Sequence, residues 1–246
     1  TLIKWIEDEQ RAGSDRLRAA RVLALLPQPE ARAALLANVG HGTPKHRAGL
    51  RAVVAGCKPP LVKDTLDALA RTEATASVRR ADLLLILASA AAREPDQTNA
   101  AVETFRETLK GAASFEEQGR ALAGLGSLRT PAAIAELISF RASAKDSVLR
   151  FLATRELALI DTPDSNAALR LALQDSDPRS REAAALALGQ HKEKAAAPEI
   201  IAGAKQEPWP SVRRAEIVAL GDLCTPDGNN LLIRAYEKDV EDIRMA

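Results

Sequence analysis

Apolar residues in VRRAEIVALG wrap most of the way round a helix. Val212, Ala215, Ile217, Val218, Ala219 and Leu220 together cover more than half of its circumference. A stripe that wide predicts a helix packed on several sides, not one laid on a single core. A second kind of helix follows a fixed signal: Thr130-Pro131, Thr162-Pro163-Asp164 and Thr225-Pro226-Asp227. Each supplies an N-cap hydroxyl and a proline suited to the first helical turn. Within these helices Leu137, Leu169, Ile201 and Leu232 hold one apolar position, and Phe140, Ala172, Ala204 and Ala235 the position three later. That spacing places both on one face. No stretch alternates β-branched and polar residues between turns, so no strands are expected.

The two kinds of helix alternate with a fixed period. DPRSREAAALALGQ, from Asp177, is echoed by WPSVRRAEIVALGD, from Trp209, at a step of 32 residues. Arg181 matches Arg213, Leu188 matches Leu220, and Gly189 matches Gly221. Backwards, the register passes through Arg150 and Leu157, then Leu125 and Gly126, with Gln118 at the arginine position. Forwards it reaches Ile243 and Arg244. Upstream it is looser, through Val78 and Arg79, Arg47, and Leu17 and Arg18. Between Arg79 and Gln118 the interval stretches to 39, and a longer loop over 91–100 is expected to hold the extra residues. The pattern predicts about seven helical hairpins, at 14–39, 43–73, 76–110, 113–143, 145–174, 176–206 and 208–238, in a single solenoid domain. One hairpin cannot bury its apolar faces alone, whereas a stack can.

The motif D-x-x-x-R-x-x-A-x-x-x-L-G, followed by a second helix, resembles HEAT repeats, in particular the short alanine-rich variety noted in phycobilisome lyases. The resemblance runs from Asp15 to the C-terminus and is strongest over Asp177–Asp239. Tetratricopeptide repeats have a similar length, but their aromatic positions are missing. The resemblance implies an all-α fold: a right-handed α-solenoid of stacked antiparallel hairpins, with second helices lining the concave side. It implies a scaffold or binding role more often than an enzyme.

Composition narrows the function classes. The chain has 34 basic and 33 acidic residues, and aromatics make up 3%. A nucleic-acid groove needs clustered positive charge and stacking platforms, so nucleic acid is disfavoured as a partner. No apolar run approaches the roughly 20 residues of a membrane span. Cys57 and Cys224 lack metal-ligand spacing, and as residues of distant hairpins they are expected to be unbridged. His41 and His46 flank a turn, do not share a helical face, and are expected at the surface. No phosphate loop, nucleophile elbow or isolated carboxylate pair stands out, so neither catalysis nor a cofactor is expected.

The recurring arginines Arg79, Arg150, Arg181, Arg213 and Arg244 are the strongest functional mark. A row of guanidinium groups can bind phosphates, or it can pair with carboxylates and helix-end carbonyls inside the stack. The second, structural reading is favoured. Positions two residues either side of the second-helix core point away from it. Among them Glu199, Asn230 and Arg234 are the candidate partner-binding residues. Trp5, Trp209 and Tyr236 are amphipathic side chains that can either anchor a partner or fill gaps between hairpins. The expectation is a non-catalytic scaffold that binds another protein, or another domain of the same chain, on its concave face. A nucleic-acid-binding solenoid and a chromophore lyase are the alternatives. VEDIRMA, from Val240, starts an eighth unit, and Thr1–Gln10 reads as a lone helix, so the chain is expected to be a segment of a longer, soluble protein, with a cytoplasmic setting favoured.

Overall fold

The computed structural model describes residues 2–111 and 113–233, and every regular element among them is helical. The chain divides into two compact units, Thr1–Ala133 and Ile134–Ala246.

The first unit opens with α1 (Leu2–Glu7), which packs against α2 (Gly13–Leu23). Ile6 is fully buried there, and the Arg16 Nε donates to the Ile6 carbonyl at 2.9 Å. Hairpins follow: α2 with α3 (Pro29–Ala37), α4 (Pro44–Ala55) with α5 (Val62–Arg71), and α6 (Ser77–Ala91) with α7 (Thr98–Lys110). α8 (Phe115–Leu128) starts the next repeat. First helices of successive hairpins touch in the order α2, α4, α6, α8. α6 buries side chains on nearly every side, among them Leu83, Leu84, Ile86, Leu87 and Ala91. Phe105 of α7 fits against α8 because residue 124 is glycine: a Cβ there would lie 2.6 Å from the ring.

The second unit contains most of α9 (Pro131–Ser143). The pairs α10 (Ser147–Leu157) with α11 (Pro163–Ala172) and α12 (Pro178–Gln190) with α13 (Ala197–Gln206) come next, and then α14 (Pro210–Leu223). Residues 226–233 are helical as well. The local signals act as physical chemistry requires. Asp146 and Asp177 cap α10 and α12 by accepting backbone N–H bonds. The Thr130, Thr162 and Thr225 hydroxyls accept from the backbone N–H three residues on. α12 and α14 lie close together: a Cβ on Gly189 would sit 2.7 Å from the Ala219 Cα.

Four details depart from the sequence reading. The extra residues between Arg79 and Gln118 go largely into helix, since α6 spans 15 residues and α7 spans 13, against 11 for α10 and 10 for α11. Of the expected loop 91–100, only 92–97 lie outside them, partly as a 3-10 turn at Pro95–Gln97. His46 is buried, not at the surface. Thr43 caps α4, and the ring at the third helical position is enclosed by Gly13 and Gly42, neither of which has a side chain to hold it off. In α13 the buried position is Ile200, with Ile201 only partly covered, where α9 and α11 bury Leu137 and Leu169. α13 is entered through a 3-10 turn, Lys194–Ala196, instead of a Thr-Pro cap, and the tighter winding of such a turn alters the phase of the face that follows. In α14 Val218 is 49% exposed, while Glu216 is 1% exposed. The buried set Val212, Ala215, Glu216, Ala219, Leu220 and Leu223 keeps helical spacing, and spacing, not polarity, decides which side chain faces inward.

Candidate functional site

Arginines at the mouths of first helices build the walls of the site. Arg150 donates to the carbonyls of Ala144 and Lys145, which follow α9. Its other nitrogens reach both oxygens of Asp175, beyond α11, at 3.2 Å. Arg181 repeats this arrangement one step on. It donates to the Asp175 and Ser176 carbonyls and makes a two-pronged contact with Glu207 at 2.8 and 2.7 Å. Arg213 donates to the Glu207 carbonyl, through Nε at 3.1 Å and also through a terminal nitrogen. Each side chain thus satisfies carbonyls left open beyond one second helix, and Arg150 and Arg181 also hold the acid beyond the next.

The matching acids are a feature the arginine pattern hides. Asp175 and Glu207 are 32 residues apart, and the same step reaches Asp239. The signal is therefore in the sequence, but in turns where acids are common. Both carboxylates are almost fully shielded. Hydrogen bonds from Arg181, followed by one from the Trp209 amide, hold the Glu207 carboxyl below the usual range against the effect of burial. Burial pushes the Asp175 carboxyl up. Bonds from Arg150 and the Asp177 amide, with the charge of Arg141, outweigh it and leave that group low as well.

In the first unit the roles are distributed differently. Arg79 donates to the carbonyls of Leu36 and Ala37 at the end of α3. Its neighbour Arg80 takes the position closest to that of Arg181, bonding the Leu69 and Thr72 carbonyls at the end of α5 and the buried Glu117 at 2.6 Å. Arg80 is the fourth residue of α6, as Arg150, Arg181 and Arg213 are of α10, α12 and α14, so the row runs through Arg80 and the expected Arg79 lies one residue before it. Asp82, also buried, pairs with Arg51 at 2.6 Å. Arg244 lies outside the described residues, as do Arg234 and Tyr236.

Clefts open where second helices of neighbouring hairpins diverge. In the first unit one lies between α3 and α5, with Arg79 in its wall, and another between α5 and α7, with Arg80 and Glu117. In the second unit α13 separates two more. A cleft of about 610 Å³ is lined by Asp175, Arg181, Glu199, Gly203 and Glu207. A larger one, about 990 Å³, has Ile201, Ile217 and Leu231 on its walls, with Lys194, Lys205, Arg213, Asp227 and Asn230 around them.

Of the candidate partner-binding residues, Glu199 therefore lines the smaller cleft and Asn230 the larger, on opposite sides of α13. Glu199 is engaged through Oε1 by Arg170, while its Oε2 is shielded and has no hydrogen-bond partner among the described residues. Trp209 is 54% exposed at the start of α14, and Trp5 stacks under Arg11, whose guanidinium carbon is 4.2 Å from the ring centre. Cys57 is buried, Cys224 is exposed, and neither is bridged. Among the described residues no helix is long and apolar enough to cross a membrane, and no three His, Cys, Asp or Glu side chains cluster as metal ligands would.

Among curated proteins no relative matches this chain. Its fold is similar to that of YibA from Escherichia coli, at 18% identity and a TM-score of 0.56, covering 90% of this chain and 80% of that one. Human deoxyhypusine hydroxylase in complex with glycerol aligns at 18% identity and a TM-score of 0.43, covering 90% and 84%. The family model described as HEAT repeats matches residues 166–246. That span takes in Arg181, Glu207 and both clefts of the second unit: residues 166–246 are HEAT repeats, and the hairpins before them share the same two-helix plan.

Proposed function

We propose that this chain is a non-catalytic protein-interaction module that receives its partner in the clefts between second helices. The observation that supports this reading is the pair of clefts flanking α13. One has apolar walls edged by Lys194, Lys205, Arg213, Asp227 and Asn230, and the other sets Arg181 and Glu199 beside Leu173, Pro198, Ala202 and Pro208. An apolar centre with a polar rim is the usual anatomy of a protein interface. The partner is another protein or another domain of the same chain.

The test is capture from a native lysate with the full chain, followed by binding to each captured protein. Lys205→Glu with Asn230→Arg alters two exposed rim positions of the larger cleft and should weaken that binding at least tenfold, with an unchanged melting temperature. Undiminished binding by this double variant would remove the cleft from the interface.

A further inference from the structure

Glu216 is the anomaly of the second unit. It occupies a core position of α14, 1% exposed, where the preceding repeat has Ala184. Its Oε2 is shielded and has no hydrogen-bond partner among the described residues. The other oxygen presses on α13 at Gly203, where a Cβ would collide with it. Three charged groups face this carboxyl: Glu207 from the turn after α13, Arg181 from α12, and Arg213 from α14 itself. Arg181 is already committed to both oxygens of Glu207, and Arg213 to the Glu207 carbonyl. Neither donates to Glu216, so an ionised Glu216 would sit in the core with no hydrogen bond at Oε2 and a second carboxylate nearby.

We propose that Glu216 is a pH-sensitive latch between α13 and α14, closing the pair as an uncharged acid and loosening it as a carboxylate. The contact it controls also shapes the larger cleft, whose walls are α13 on one side and Arg213 and Ile217 of α14 on the other. Burial, reinforced by the Glu207 charge and opposed by Arg181 and Arg213, pushes the group up to about 7. A raised value means that the closed form binds the proton more tightly than any open form. The latch therefore holds fully below the ordinary glutamate range. It weakens as pH rises, by up to about tenfold in the closed-to-open ratio per pH unit, and the loss is complete once pH passes about 7. The proposal stands apart from the interaction reading, because it needs no partner.

The experiment uses the full chain without ligand. Carbon-detected NMR follows the Glu216 carboxyl, and hydrogen exchange, expressed as protection factors, follows α13 and α14 from pH 5 to 8. In the wild type the carboxyl should titrate near neutrality, and protection in both helices should fall between pH 5 and 7 and then level off. Glu216→Gln keeps the shape and removes the charge, so its protection should stay flat over that range. A carboxyl midpoint near the ordinary value of about 4.3, or the same slope in Glu216→Gln as in the wild type, overturns the latch. If Glu216→Gln does not fold, Glu207→Gln gives a second reading. Removing the neighbouring charge and releasing Arg181 should both lower the Glu216 midpoint, and an unchanged midpoint overturns the proposal.

Discussion

At the scale of single residues, the helices are fastened by arginines, of which Arg80, Arg150 and Arg181 each do two jobs. Arg181 satisfies carbonyls beyond α11 and neutralises Glu207, a side chain that is 5% exposed. Arg181→Ala leaves that carboxylate without its charge partner and should cost about 1–3 kcal/mol, read as a loss in thermal or urea unfolding. Its pH dependence follows from the depressed Glu207 carboxyl. The pair stabilises the protein above the ordinary glutamate range and is lost as pH falls through the lowered value, so wild type and variant should converge in acid. This is opposite in sign to Glu216, whose contribution is lost as pH rises. The arginine row is legible in the sequence because one residue type recurs at one step. The acids recur as regularly at Asp175 and Glu207, but they lie in turns, where an acid has many other reasons to be present. Glu216 is not legible at all: its letter reports a charge, while its burial is set by helix phase and by the room left at Gly203.

At the scale of elements, glycines mark how closely helices approach. Gly189 and Gly221 hold the same place in successive repeats, yet their surroundings differ. A Cβ at Gly189 would meet the Ala219 backbone at 2.7 Å, whereas among the described residues nothing lies within 4 Å of one at Gly221. Gly189→Ala should force α12 and α14 apart and cost about 1–3 kcal/mol, while Gly221→Ala should gain about 0.5–1 kcal/mol from better helix propensity. Denaturant midpoints of the two variants, moving in opposite directions, check this; a shared direction would contradict the packing. Thr162→Ala, which removes the cap of α11, should cost about 1 kcal/mol. Caps are legible because a hydroxyl, a proline and a following acid are local signals. The phase of α13 and the lengths of α6 and α7 are not, since a 3-10 turn and a packing partner decide them.

At the scale of the whole molecule, charge decides which partners are compatible. The balance of 34 basic and 33 acidic residues hides an uneven division: Thr1–Ala133 has 19 basic against 15 acidic, and Ile134–Ala246 has 15 against 18. The excess in the first unit is small, and its buried acids Asp82 and Glu117 already occupy Arg51 and Arg80. In the second unit Arg150, Arg170 and Arg181 are likewise held by Asp175, Glu199 and Glu207. A polyanion would have to displace these partners, each of which would then be left with an uncompensated carboxylate. Phosphate binding by several side chains makes affinity fall steeply with salt, with a slope close to the number of phosphates neutralised. The full chain should therefore show weak retention on duplex DNA, with a slope near zero in a plot of log affinity against log salt. A slope of several units would mean that the arginines leave their acids for phosphate, and the same row that fastens the hairpins would then be the binding site.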